Sequence, residues 1–280
     1  MFEPVIDCHV HVFDPGRFPY AADAYYTPTG AETGPVEQLK RTHDGHRVRR
    51  AVLVGPNSGY GEDNGYLLDS LAADPQRFRG FAVVPTGLGR ADLARLRAAG
   101  VLGVTLNAAL LGVEHYADAG PQLSALAELD MIADVQVVDD QLLALGPLLD
   151  RAGVRVLVDH CGRPDPRRGR QDPGFQELLR RGRKGRAVVK LSGLYKFSQR
   201  PHPHEDAWPF VRALVEAFGP DRCVWASDWP FLRAPARIDY GPLLELFAGI
   251  VPDDSARRAI LWDTPLREYF AERANGTPGP

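Results

Sequence analysis

Eight short, apolar, β-rich runs recur along this chain of 280 residues, and nearly all are separated by a segment with helical spacing. They fall at 5–11, 50–55, 79–85, 101–107, 132–138, 154–160, 187–193 and 223–228. Strands that alternate with helices run parallel, because a parallel pair needs a long crossover and a helix supplies it. Eight such units predict an α/β fold of one kind, the closed (β/α)8 or TIM barrel, whose usual size of roughly 250 residues suits this length. A doubly wound open sheet is the alternative. It usually has fewer strands, and no Gly-rich nucleotide loop follows the first run.

Helices are expected at 67–73, 91–99, 121–129, 141–152, 175–183 and 208–218, where apolar positions recur at helical spacing. The pairs Asp74-Pro75, Gly146-Pro147 and Gly219-Pro220 read as turns and helix ends. No repeat or linker interrupts the pattern, so 5–270 is expected to form a single unit, with 271–280 a disordered tail. The aromatic, Pro/Gly-rich segment from Phe13 to Glu32 would lie over the strand ends as a lid or entry loop.

The formal net charge is −3 and the basic residues are spread, which argues against a nucleic-acid or acidic-membrane partner. The densest basic stretch, Arg180 to Arg186, reads as a solvated helix end and loop. Cys8, Cys161 and Cys223 show no C-x-x-C spacing, and each lies in or beside an apolar run. Buried free thiols in a reducing cytosol are expected. Met1 to Pro4 show no secretory pattern, and no uncharged apolar run reaches the roughly 20 residues of a membrane span. A cytoplasmic location is the expectation.

In a barrel of this kind, chemistry lies at the carboxyl ends of the strands. Polar and ionisable residues gather at those ends here. Run 1 ends in His9 and His11, which alternation sends to one face. Run 4 ends in Asn107, run 5 carries Gln136, and run 6 ends in Asp159-His160-Cys161-Gly162-Arg163. Run 7 carries Lys190 and is followed by Tyr195; run 8 ends in Asp228. Bland readings stay open for several of them: Asp228 as a turn residue, His160 as a satisfied core histidine, Lys190 snorkelling to solvent, Arg163 on a surface loop. His43 and His46 are expected in solvent, His115 on a loop, and His202 and His204 on a mobile loop.

Four stretches in order, VIDCHVH, VLVDHCGRPD, VVKLSGLY and DRCVWASDWPF, resemble the amidohydrolase superfamily. More narrowly they resemble its branch of lactone hydrolases, which includes 2-pyrone-4,6-dicarboxylate lactonase, the fuconolactonases and 4-sulfomuconolactone hydrolase. The likeness runs from about residue 5 to about 270. It implies the barrel fold and a catalytic cluster of His9, His11, His160 and Asp228. Metal-using members draw further ligands from strand 4 (a lysine or glutamate) and strand 5 (a histidine); here these ends offer Thr105 to Asn107 and Gln136. At most one ion, zinc or manganese, would then be held, by His9, His11, His160 and Asp228. The dicarboxylate lactonase lacks those ligands too and works without metal, so a metal-free site is favoured.

The resemblance implies lactone ring opening by hydrolysis. Asp228 would take a proton from water and return it to the leaving oxygen, and the three histidines would polarise the carbonyl. Arg163 would pair a substrate carboxylate and Lys190 would supply a point charge. Tyr195 and Asn107 would hydrogen-bond, and Tyr26 and Ser58 would cover the pocket from loops. The expected substrate is a small lactone with an acidic or sugar group. Two rivals stand: a metal-dependent decarboxylase on the same scaffold, and a barrel that only binds. Self-association is left open.

Overall fold

A computed structural model describes residues 4–271. The expected tail, apart from its first residue, lies outside the described residues. The eight strands are β1 (Val5–Val10), β2 (Val48–Val54), β3 (Phe78–Ala82), β4 (Val101–Asn107), β5 (Ile132–Gln136), β6 (Arg155–Val158), β7 (Val188–Leu191) and β8 (Cys223–Trp225). They form one sheet in chain order, every paired neighbour parallel. The sheet closes between its first and last strands. Asp228 N–H donates to the His9 carbonyl at 2.9 Å and His11 N–H to the Trp229 carbonyl at 2.8 Å, and Val10 bridges Trp229 in parallel.

The apolar side chains divide between two layers, as both faces of a parallel sheet require. Ile6, Cys8, Val52, Val54, Phe81, Leu157 and Val224 pack with Tyr269 and Phe270 in one cluster, which fills the barrel and closes its base. Leu39, Leu93, Leu126, Leu145 and Leu214 belong to the second, between barrel and helices. All three cysteines are free and buried. No described helix is long and apolar enough to cross a membrane.

Helices occupy Gly65–Ala73, Arg90–Ala98, Gly120–Glu128, Gln141–Ala152, Pro173–Arg183 and Trp208–Phe218, close to the expected places. Two further helices, Val36–Gly45 and Tyr240–Ile250, carry no expectation from the sequence. The first is hard to read because its only buried residues are Val36, Leu39 and His43. Its third anchor is polar, and His43 is fully buried rather than in solvent. Its Nε2 stands 3.6 Å from Asp7 Oδ2, and its ring packs edge-on to Tyr240.

Three other expectations are corrected. Gly146-Pro147 does not end a helix, since Pro147 sits inside Gln141–Ala152. The missing N–H would have bonded the carbonyl of Leu143, an exposed residue whose carbonyl water can satisfy. A side chain at Gly146 would meet the buried Arg181 guanidinium at 2.5 Å. That arginine, in the stretch expected to be solvated, binds Glu177 Oε1 at 2.8 Å and Asp150 Oδ1 at 3.0 Å. His204 is buried as well, its Nδ1 2.9 Å from the Arg200 carbonyl. The segment from Phe13 to Glu32 packs on the loop after β2: Phe13 stacks on Tyr60 at 5.8 Å, and Ala21 N–H donates to the Gly59 carbonyl.

Candidate active site

Asp7, His9 and His11 would share one face of a regular strand. The β1–β2 register is irregular between Asp7 and Val10, and this separates them. Asp7 turns to the helix side, where Ser227 N–H (2.9 Å) and Tyr240 OH (2.6 Å) donate to it. His9 and His11 turn to the mouth of the barrel, their rings edge to face at 4.8 Å.

His160 and Asp228 follow the ends of β6 and β8, with φ of 48° and 64°. Non-glycine residues rarely adopt this left-handed conformation, and such strain of about 1–3 kcal/mol persists where the surroundings over-determine it. Here it aims both side chains at the His9–His11 pair. His160 is pressed from behind by Gly193, where a Cβ would fall 2.7 Å from His160 Nδ1. Ser192 Oγ holds that same nitrogen at 3.0 Å.

Asp228 Oδ1 therefore faces three imidazoles. It lies 3.7 Å from His9 Nε2, 3.7 Å from His11 Nε2 and 4.0 Å from His160 Nε2. It is buried and makes no hydrogen bond. Its companion Oδ2 is fully engaged, accepting from Tyr195 OH at 2.6 Å and from Lys196 Nζ at 2.9 Å. Burial pushes the Asp228 carboxyl up, but Lys196 and the histidines outweigh it and hold the group well below the usual carboxylate range. Burial, with His9 beside it, lowers His11 to about 3. Burial also lowers His160 well below its ordinary value. Both rings are neutral at physiological pH.

Beneath the cluster lies a second charged layer. Lys190, fully buried, contacts Asp134 at 3.0 and 3.1 Å and Asp159 at 2.7 Å, and it rests 5.0 Å above the Phe81 ring. Burial opposes the ammonium, but the two carboxylates raise its proton affinity above the ordinary lysine value. Lys190 also reaches His9 Nδ1 at 3.1 Å. Asp159 Oδ1 stands 3.3 Å from the same nitrogen and 2.7 Å from Lys190 Nζ, and neither Asp159 oxygen has a hydrogen bond among the described residues. The His11 contacts assign a proton order. His11 Nδ1, 2.8 Å from the Val54 carbonyl, must donate, so its Nε2 is a lone pair. The 3.2 Å contact between the two Nε2 atoms is then a His9-to-His11 hydrogen bond.

The donor set also fits one small divalent ion. Four-coordinate bonds of about 2.1 Å place ligand atoms roughly 3.4 Å apart, and the unbonded Asp228 Oδ1 and the imidazole Nε2 atoms stand 3.2–4.0 Å from one another. His9, His11 and Asp228 form one group with metal-ligand spacing, and His9, Asp159 and His160 form another.

The other sequence-derived residues divide. Tyr195 joins the cluster, and Lys190 lies under it with no access to a substrate. Arg163 reaches Gln136 Oε1 at 3.5 Å, while its buried Nε has no partner among the described residues. Asn107 caps Ala108–Leu111 by accepting from Leu110 N–H, and it donates to Asn57 at 2.8 Å. Ser58 is buried against Tyr25 OH at 3.1 Å. Tyr26 bonds Glu32 and lies 5.5 Å from the Arg233 guanidinium. Asn107 ends β4, Ser58 and Tyr26 sit on loops, and each bonds a neighbour outside the four cluster residues. Lys196, Asp134 and Asp7 carried no role in the sequence reading. Asp134 had a signal, a lone carboxylate in an apolar run two strands from a lone lysine in another; Lys196 had none.

The family profile described as Amidohydrolase matches residues 6–271. A 2-pyrone-4,6-dicarboxylate hydrolase of Comamonas testosteroni is 30% identical over 95% of this chain and 90% of its own length. A 4-sulfomuconolactone hydrolase of Hydrogenophaga intermedia is 29% identical over 96% and 89%. A crystal structure from Pseudomonas putida, described as a 2-pyrone-4,6-dicarboxylic acid hydrolase, superposes with a TM-score of 0.86 at 30% identity, covering 98% of this chain and all of that one.

Proposed function

The chain belongs to the amidohydrolase family of enzymes, and from that premise we propose that it hydrolyses a small lactone bearing an acidic group. One observation carries the reading: a buried carboxylate oxygen, free of hydrogen bonds, faces three imidazoles at the mouth of the barrel. Water held by Asp228 Oδ1 attacks the ring carbonyl, and Asp228 takes its proton. Lys196 makes the resting carboxylate a weak base. As negative charge builds on the carbonyl oxygen it draws on the same cation, so the proton affinity of Asp228 rises as the proton moves. His9, with its proton on Nε2, donates to that oxygen. His160 does the same when Ser192 donates to its Nδ1. His11 has no Nε2 proton to give in its neutral form; it accepts from His9 at rest and gives that hydrogen bond up to the carbonyl oxygen. The proton on Asp228 then passes to the departing ring oxygen.

Arg163 supports an acidic substrate. It is a half-buried guanidinium whose one recorded side-chain bond is a long one to a neutral amide. Two known relatives act on acidic lactones by name. Gln136, where a strand 5 ligand would stand in a decarboxylase of this scaffold, serves Arg163 rather than the cluster.

The ligand-like spacing favours a second reading in which His9, His11, His160 and Asp228 hold one ion. The ion would supply positive charge to the carbonyl and acidify water.

The test is ring opening of sugar lactones, muconolactones and pyrone carboxylates, with and without chelator. Turnover that survives chelation and falls at least a hundredfold in Asp228→Asn supports the proposal. No ring opening on the panel, or normal turnover by the variant, refutes it. Loss on chelation with recovery on zinc selects the second reading.

A further inference from the structure

Lys196 holds its ammonium 2.9 Å from Asp228 Oδ2, on the same carboxylate whose other oxygen would bind an ion. It is one of the charged groups acting on His11 and on His160, so it faces the whole cluster. The side chain is 18% exposed and leans over the Tyr195 ring at 5.0 Å, which fixes it at the rim. With His11 and His160 neutral, the Asp228–Lys196 pair carries zero net charge. A divalent ion added on Oδ1 would raise that total to +2, with two like charges on one carboxylate. In metal sites the neighbours of a ligand are ordinarily hydrogen-bond acceptors that strengthen it. Here the carboxylate is neutralised by an ammonium 2.9 Å from Oδ2.

We propose that Lys196 is the resident cation of this site, taking the electrostatic place of a divalent ion and selecting against its binding. The inference rests on the metal-free reading above. It adds that the selection is built into one residue, which the match of ligand spacing alone would not reveal. Lysine suits this role because it offers charge without coordinating, and its stem can hold the head against Oδ2 while the tip meets a developing oxyanion.

The experiment is metal titration of the full chain without substrate. Cobalt(II) is followed by visible absorbance, with zinc competing. Lys196→Met is expected to bind zinc about tenfold to a hundredfold tighter than the parent, the range over which neighbours of ligands shift affinity. Lys196→Arg, which keeps the charge, should stay within about threefold of the parent. Lys196→Gln is a second neutral variant should the methionine form fold poorly. Neutral variants that bind no tighter than the parent overturn the proposal, as does an arginine variant that binds as tightly as the neutral ones. Because no lactone enters the measurement, failure of the substrate panel and failure of this inference are read separately.

Discussion

Acidification from pH 7 to pH 5 should cost this protein about 2 kcal/mol of stability through His11, and His160 adds to the loss. Both are buried and neutral in the fold, His11 titrating near 3 and His160 well below its ordinary value. In the unfolded chain each titrates near ~6.5. Between these limits the unfolded chain binds more protons than the native one, so stability falls as pH falls below about 6.5. An unfolded histidine is about a quarter protonated at pH 7 and almost fully at pH 5. The linkage relation turns that difference into about 1.9 kcal/mol for His11, and His160 acts in the same direction. Asp228 acts in the same direction, but its loss begins only as pH approaches its unfolded value near 4, so it adds little here. Besides burial, Asp228, His9 and Lys196 act on both imidazoles, and Asp159 acts on His160. Urea unfolding followed by tryptophan fluorescence at the two pH values measures the difference, with the slope in denaturant held in common. His11→Gln should remove about 1.9 kcal/mol of the pH effect whatever it does to absolute stability. Equal stability at pH 7 and pH 5, or a gain at pH 5, would mean imidazolium rings paired with Asp228. The neutral-donor mechanism would then be wrong.

Two further outcomes follow from the charged layers. Lys190→Met leaves Asp134 and Asp159 buried without their cation and should destabilise by about 3–5 kcal/mol; Lys190→Met with Asp134→Leu should recover part of it, both read by thermal unfolding. Arg163→Gln should raise KM for acidic lactones about tenfold to a hundredfold with kcat nearly kept, and leave neutral sugar lactones alone. An equal loss on both classes would place Arg163 outside the substrate's acidic group.

The strands were legible because each is an apolar run between turn residues, and such runs need no partner to be recognised. The cluster was legible for a related reason. His9, His160 and Asp228 are ionisable groups at the ends of apolar runs, where packing alone does not put them. What stayed hidden depends on contacts across the chain. Lys190 and Asp134 are 56 residues apart, and each looks anomalous until the barrel places their strands two apart. Lys190 thus reads as a substrate contact from sequence, while the fold makes it a support. Lys196 lies in a loop turn with no periodicity, so nothing local marks it. His43 looked solvated because its neighbours are polar, and only Asp7 and Tyr240, from opposite ends of the chain, explain its burial. The proton order of His9 and His11 was equally unreadable, since it is set by a carbonyl on β2 and by the 3.2 Å approach of the two rings.

The seam of the barrel passes through the cluster of imidazoles and carboxylate. Asp228 N–H bonds the carbonyl of His9, and the Asp7 side chain clasps Ser227 N–H, 220 positions along the chain. Annealing the last strand to the first is thus the same event as bringing the carboxylate to the histidines. A nascent polypeptide halted before residue 228 therefore has neither a complete hoop nor the carboxylate that faces the imidazoles, and the cluster exists only in finished hoops.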